Sequence, residues 1–261
     1  MFKVTEYPHG TFSWADCSST DVEKSKAFFT GLMGWGMQDF PMGEGRFYTF
    51  FKQDGEDIAG ISPMPAEMQG MPSLWLNYVS VTDVDALIDR IKALGGTVMG
   101  EPFDVFDNGR MLMLQDPTGA DICLWQPRTH IGATLVNVPG AMSWNELATS
   151  DMEKAKDFYG KLLGWEFVAE DSDYYSILNN GRSNGGITQI TPEMGAMPSS
   201  WSTYFSVSDI DEAVSAVNEL GGSVIMPIVT APGVGRFTTI ADPTGAVCKL
   251  VQLEQAQPWS A

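Results

Sequence analysis

The chain is poor in the side chains that most often do chemistry. Its 261 residues include two histidines, His9 and His130, and three cysteines, Cys17, Cys123 and Cys248. An odd number of cysteines without Cys-x-x-Cys spacing argues against a disulfide framework and against a zinc site. Cys123 has no histidine companion to draw off its proton, so it reads as a small buried residue rather than a nucleophile. Arg110 and Arg236 each follow a glycine, and in so acidic a chain they are expected to pair with surface carboxylates.

Acidity narrows the partners. Thirty-three Asp and Glu against 15 Lys and Arg give a formal charge of −18, and there is no basic stripe, so a nucleic-acid partner is not expected. No apolar run approaches the length of a membrane span, and the first residues lack the apolar stretch of a signal peptide. The expectation is a cytoplasmic protein with no membrane partner.

The elements that must position these residues are written four times. Thr20-Asp21-Val22-Glu23, Thr82-Asp83-Val84-Asp85, Ser150-Asp151-Met152-Glu153 and Ser208-Asp209-Ile210-Asp211 share one pattern: hydroxyl, Asp, aliphatic, acid. It reads as a capping box, with the hydroxyl taking an unpaired backbone N–H and the acid reaching back. An amphipathic stripe follows each copy, as in Val84, Leu87, Ile88, Ile91 and Leu94, and glycine ends it. Between these helices Phe47–Lys52, Trp75–Val81, Arg110–Gln115 and Ile122–Gln126 read as strands. Asp116-Pro117-Thr118-Gly119 and Asp242-Pro243-Thr244-Gly245 read as turns. The predicted class is α+β, with four β-α-β-β-β units. A unit of some 55 residues cannot bury both faces of its sheet, so units must pair. Aligning 13–35 with 143–165 and 60–83 with 186–209 lowers the offset from 130 (143 − 13) to 126 (186 − 60), which predicts a shorter hairpin in the second half. The predicted organisation is a first domain at 1–127, a linker at 128–140 and a second domain at 141–261.

This order of motifs, with Phe-Phe or Phe-Tyr before Leu-x-Gly-Trp on the first helix of each half and a late Asp-Pro-Thr-Gly, resembles the vicinal oxygen chelate superfamily. That group includes glyoxalase I, extradiol dioxygenases and bleomycin-resistance proteins. The resemblance spans about Gly10 to Leu253. It implies paired units whose antiparallel sheets curl into cups, and in catalytic members a divalent metal in the cup, held by His, Glu or Gln. The matching positions here are Trp14, Leu76 and Cys123 in the first cup and Trp144, Ser202 and Lys249 in the second. Indole and alkyl groups have no lone pair to offer, and an ammonium brings a positive charge where a cation would sit. No metal or other cofactor is expected.

Strand parity adds cup neighbours to these positions. Asp16, Tyr78 and Trp125 join the first cup; Glu146 and Tyr204 join the second. In the family fold the strands of Glu146 and Lys249 adjoin, so an ion pair is expected where the metal would be. The resulting expectation is a protein that binds a small organic molecule in metal-free cups, as a monomer or homodimer. The alternative is a lyase or isomerase acting on small glyoxal-like compounds, with Lys249 and Glu146 as its catalytic groups. The Met- and Pro-rich runs at 63–72 and 192–198 read as cup-rim loops.

Overall fold

The computed structural model describes residues 3–68 and 70–255. In the first unit β1 (Thr11–Ser19) leads into α1 (Val22–Met33), and β2 (Gly36–Gly43), β3 (Arg46–Gln53) and β4 (Glu56–Pro63) follow. The second unit runs β5 (Leu74–Ser80), a 3-10 turn at Asp85–Leu87, α2 (Ile88–Ala93), β6 (Thr97–Val98), β7 (Phe103–Val105), β8 (Gly109–Gln115) and β9 (Asp121–Pro127). Here the strand after the helix is split in two, and both pieces pair with β8. The third unit has β10 (Met142–Thr149), α3 (Met152–Leu163), β11 (Glu166–Ala169), β12 (Tyr174–Asn179) and β13 (Arg182–Gln189). The fourth has β14 (Ser200–Ser206), α4 (Ile210–Glu219), β15 (Ser223–Ala231), β16 (Gly235–Ala241) and β17 (Val247–Leu253). As the offset requires, β11 spans four residues where β2 spans eight.

Each half contributes one sheet. The strand orders are β2-β3-β4-β1-β5-β9-β8-β6, with β7 beside β8, and β11-β12-β13-β10-β14-β17-β16-β15. The sheets are mixed, not wholly antiparallel: β1 runs parallel to β4, β5 to β9, β10 to β13 and β14 to β17. The helix crossover reverses the chain before three alternating strands, so the last strand of a unit comes back in the direction of its first.

The helix starts differ from the capping-box reading by one residue. Asp21, Asp151 and Asp209 are the caps, accepting from the backbone N–H of Lys24 (3.2 Å), Lys154 (3.1 Å) and Glu212 (3.0 Å). A carboxylate accepts more strongly than a hydroxyl, and it wins the position. The freed hydroxyls of Thr20 and Ser150 lie 3.1 and 3.3 Å from those of Ser73 and Ser199, just before the first strand of the next unit.

The hydrophobic cores cross between the halves. One joins Phe28, Phe29, Trp35, Phe51 and Ile61 of the first unit to Phe205, Val217, Ile240 and Leu250 of the fourth. The other joins Ile91, Leu112 and Leu124 of the second unit to Phe158, Tyr159, Leu162 and Trp201 of the third. The second glycine after α2 and after α4 has a packing reason: a Cβ at Gly96 would press on Phe158 at 2.8 Å, and one at Gly222 on Phe28 at 2.5 Å.

Polar bonds follow the same reciprocity. The Trp35 indole donates to the Gly140 carbonyl (2.7 Å) and the Trp165 indole to the Gly10 carbonyl (2.7 Å). The Asp-Pro-Thr-Gly turns carry more than a chain reversal. Buried Asp116 accepts from Thr118 and Ala120 within its turn, and from the Tyr159 hydroxyl of the other half at 3.0 Å. Asp242 does the same with Thr244, Ala246 and the Ser25 hydroxyl at 2.5 Å. Among the described residues no helix is long and apolar enough to cross a membrane.

Candidate functional site

The sheet register brings several of the predicted cup positions side by side. In the first cup Trp14 stands opposite Tyr78, Asp16 opposite Leu76, and Tyr78 beside Cys123. In the second, Trp144 stands opposite Tyr204, Glu146 opposite Ser202, and Tyr204 beside Lys249. Trp125 joins the first cup edge-on to Tyr78, with ring centres 6.5 Å apart.

Each cup centres on its carboxylate, and neither acid caps backbone. Asp16 Oδ2 accepts from the hydroxyls of Tyr78 (3.0 Å) and Tyr48 (3.3 Å), and the Trp14 indole donates to Tyr48 at 2.9 Å. Burial pushes the Asp16 carboxyl up to about 6, against the two tyrosine bonds that pull it down. The second cup repeats the frame and adds a cation. Lys249 Nζ lies 2.5 Å from Glu146 Oε1 and donates to the Tyr204 hydroxyl at 3.0 Å; that hydroxyl donates to Glu146 Oε2 at 3.0 Å. The ion pair expected from the sequence is present, with side chains 16% and 11% exposed, so Lys249 is desolvated rather than extended into solvent. The Trp144 indole donates to Tyr174 at 3.1 Å.

Tyr48 and Tyr174 were not among the sequence candidates. Each reaches over a glycine: a Cβ at Gly60 would overlap the Tyr48 hydroxyl, and one at Gly186 the Tyr174 hydroxyl. Gly60 and Gly186 pair with Asp16 and Glu146 in the sheets. A tyrosine matched at an offset of 126 and a matched glycine were the available signal.

His130 was also missed. It follows β9 in the linker, yet its ring lies 4.8 Å from Trp14, 5.2 Å from Phe50 and 6.1 Å from Trp125. Burial pushes its imidazole down to about 4. Cys123 is fully buried, and burial followed by the Asp16 charge pushes its thiol up, which removes it as a nucleophile. Arg110 pairs with Asp85 and Asp104, and Arg236 with Asp211, as ordinary exposed ion pairs.

The six positions matched to family metal ligands present two indoles, an alkyl chain, a thiol, a hydroxyl and an ammonium. That set does not suit a divalent cation, and in the second cup the ammonium already occupies a carboxylate oxygen. Among the described residues no group of three His, Cys, Asp or Glu side chains is placed to hold one. The cups differ in access. The difference lies at the tryptophans: Trp14 is buried at 4% exposure, whereas Trp144 is partly exposed; Tyr48 and Tyr174 are both partly exposed. A cavity of about 370 Å³ between the halves, by Asn179, Arg182 and Asn184, touches Trp144 but is not lined by Glu146, Tyr204 or Lys249.

Comparison with known proteins agrees with this geometry. The family model for the Glyoxalase/Bleomycin resistance protein/Dioxygenase superfamily matches residues 12–124 and 141–250. The chain is 40% identical over 258 residues to "Putative glyoxylase CFP32" of Mycobacterium bovis, covering 97% of this chain and 98% of the relative. It is 32% identical over 275 residues to the anthracycline biosynthesis protein DauV of Streptomyces sp. strain C5, covering 99% and 98%. In fold it matches the Mn(II)-bound glyoxalase of Novosphingobium aromaticivorans, with TM-score 0.64, 15% identity, and 95% and 86% of the two chains covered. It also matches the 2,3-dioxygenase LapB of Pseudomonas sp. KL28, with TM-score 0.65, 13% identity, and 97% and 96% covered. At such identities those two structures speak for the fold alone. With both halves matched by the family model, and with cups of paired β-α-β-β-β units, the chain belongs to the glyoxalase/bleomycin-resistance/dioxygenase superfamily, the vicinal oxygen chelate fold.

Proposed function

We propose that the chain binds a small, flat, oxygen-bearing organic molecule in its second cup, without a metal. The observation that carries the reading is the Lys249 ammonium between Glu146 and Tyr204, under partly exposed aromatic walls. Apolar walls with a few convergent polar groups suit a small organic ligand. With two of its three N–H groups given to Glu146 and Tyr204, the Lys249 ammonium keeps one donor for a carbonyl or phenolate oxygen. Two relatives are named for anthracycline biosynthesis. Anthracyclines are fused-ring quinones, a class whose flat rings and oxygen edge match these walls and this donor.

A second reading is catalytic. Tyr204 bonds both Glu146 and Lys249, so a proton can pass between an acid and a base beside a bound carbonyl. This reading, a lyase or isomerase of small glyoxal-like compounds, draws support from relatives named "Putative glyoxylase CFP32" and "Lactoylglutathione lyase GLX1".

Thermal-shift titration of chelator-treated protein separates the readings. Hydroxyquinones are expected to raise the melting temperature in proportion to ln(1 + [L]/Kd), and Lys249→Met to abolish the rise. Turnover of a 2-oxoaldehyde by the same metal-free protein would favour the second reading. Stoichiometric Zn, Mn, Fe or Ni in the purified chain, with stability lost on chelation, would overturn both.

A further inference from the structure

The two cups grow from one repeated pattern, yet the first is filled by the chain itself. Beyond β9 the linker folds back across the sheet. Arg128 and His130 N–H groups donate to the Asn108 carbonyl at 2.9 and 3.1 Å, the Trp125 indole donates to the His130 carbonyl at 2.9 Å, and Ala133 N–H donates to the Ser13 carbonyl at 2.8 Å. This path leaves the His130 ring inside a cage of aromatic rings. It stands edge-on to Trp14 (4.8 Å, 87°) and Phe50 (5.2 Å, 84°), with Trp125 at 6.1 Å and 70°.

The imidazole Nε2 is buried and has no hydrogen-bond partner, although the residue as a whole is partly exposed. Among the groups acting on its charge, Asp57 favours the cation and Lys52 opposes it, and burial outweighs both. Ring shape and edge-to-face packing hold the side chain. A flat ring without a buried unpaired nitrogen would satisfy the cage better, because an unmade buried hydrogen bond costs free energy. The cage also continues to the surface: Phe50 packs edge-on against Phe40 at 5.2 Å, and Phe40 is 44% exposed on β2.

We propose that the first cup is a second binding site, for a flat aromatic or heteroaromatic compound, held shut by the linker with His130 as the internal occupant that the compound displaces. The site does not depend on the ligand assigned to the second cup. Displacement lowers the apparent affinity of the native chain by the fraction of time the cage stands open.

Calorimetric titration of His130→Ala with indole, quinoline and 2-naphthol tests this. The variant is expected to bind one of these probes at least tenfold more tightly than the native chain, with a second change, Trp14→Ala, removing the gain. Lys249→Met should leave this binding unchanged, which separates it from the second cup. In the native chain the test is spectroscopic, because two histidines give two imidazole signals. At saturating probe the His130 signal is expected to move, and its titration midpoint to climb from about 4 towards the solvent value of 6.5. A folded His130→Ala that binds every probe no better than the native chain overturns the proposal. If that variant does not fold, the native titration decides alone: a His130 signal unmoved at about 10 mM of each probe overturns it equally.

Discussion

Replacing Lys249 with methionine asks how much the second cup depends on its ion pair. The lysine makes two polar contacts, to Glu146 at 2.5 Å and Tyr204 at 3.0 Å, and both charged side chains are largely out of water. Methionine fills much of the same volume, so the loss is mainly electrostatic. It leaves the Glu146 carboxylate facing tyrosine hydroxyls without its cation. Removing one partner of a buried pair costs roughly 3–5 kcal/mol. Glu146 keeps its bond from Tyr204 and some solvent, so the expected cost is near the low end, about 3 kcal/mol. For a chain of this size unfolding as a unit, that lowers the melting temperature by about 5 °C. The informative comparison is the double variant Glu146→Gln, Lys249→Met, which removes both charges and keeps an acceptor for Tyr204. It should regain at least about 1.5 kcal/mol over the single variant, because the unpaired charge is gone. Urea unfolding of the four proteins of this cycle, at low and high salt, gives the numbers, and a pair this buried should be little screened. A single variant within about 0.5 kcal/mol of the native chain, or a double variant no better than the single, would refute the reasoning.

The first cup makes a prediction about pH. Asp16 is raised from 3.8 to about 6 in the folded chain, so its ionisation opposes folding. Below about pH 4 the acid is protonated in both states and there is no cost; the cost grows as pH rises to about 6 and is then constant. Native stability should therefore fall relative to Asp16→Asn by up to about 3 kcal/mol between pH 4 and pH 7, read from urea midpoints at both pH values, and a constant difference would contradict it. Gly186→Ala should cost about 1–3 kcal/mol by pushing Tyr174 off Trp144; adding Tyr174→Phe should recover part of it, in the same assay. Trp35→Phe removes the indole bond to the Gly140 carbonyl and should cost about 2 kcal/mol, visible in thermal melts as a lower transition.

Much of this architecture is legible in the sequence because repetition amplifies weak signals. Val84, Leu87, Ile88, Ile91 and Leu94 might belong to any helix, but the stripe recurs after each Asp cap, and strand parity then places Trp14, Asp16, Leu76, Tyr78 and Cys123 on one face. The pairing of Glu146 with Lys249 is expected from adjoining strands, but β14 lies between β10 and β17, and the two side chains meet across that strand beside Tyr204. What stayed hidden depends on contacts distant in sequence. Nothing local says that His130 turns back into a cup, since its position is set by Asn108, Ser13 and three aromatic rings. Tyr48 and Tyr174 lie on strands remote from the acids they approach. Asp116 and Asp242 look like turn residues because their second role needs a hydroxyl from the opposite half. The cap was misassigned by one residue because Thr and Asp are both good acceptors, and which one wins depends on backbone angles that composition does not encode.

The exchange of core residues between first and fourth units, and between second and third, has a consequence for what the duplication permits. A half made alone would bare Phe28, Phe29 and Trp35, and two such halves would cover each other about a twofold axis. Joining them in one polypeptide makes that association independent of concentration. It also lifts a restriction that symmetry imposes. Identical subunits must carry identical hollows, so any residue suited to one task would be duplicated in the other. Here Cys123 occupies the place that Lys249 holds 126 residues later (249 − 123), and the tethered twins are free to specialise.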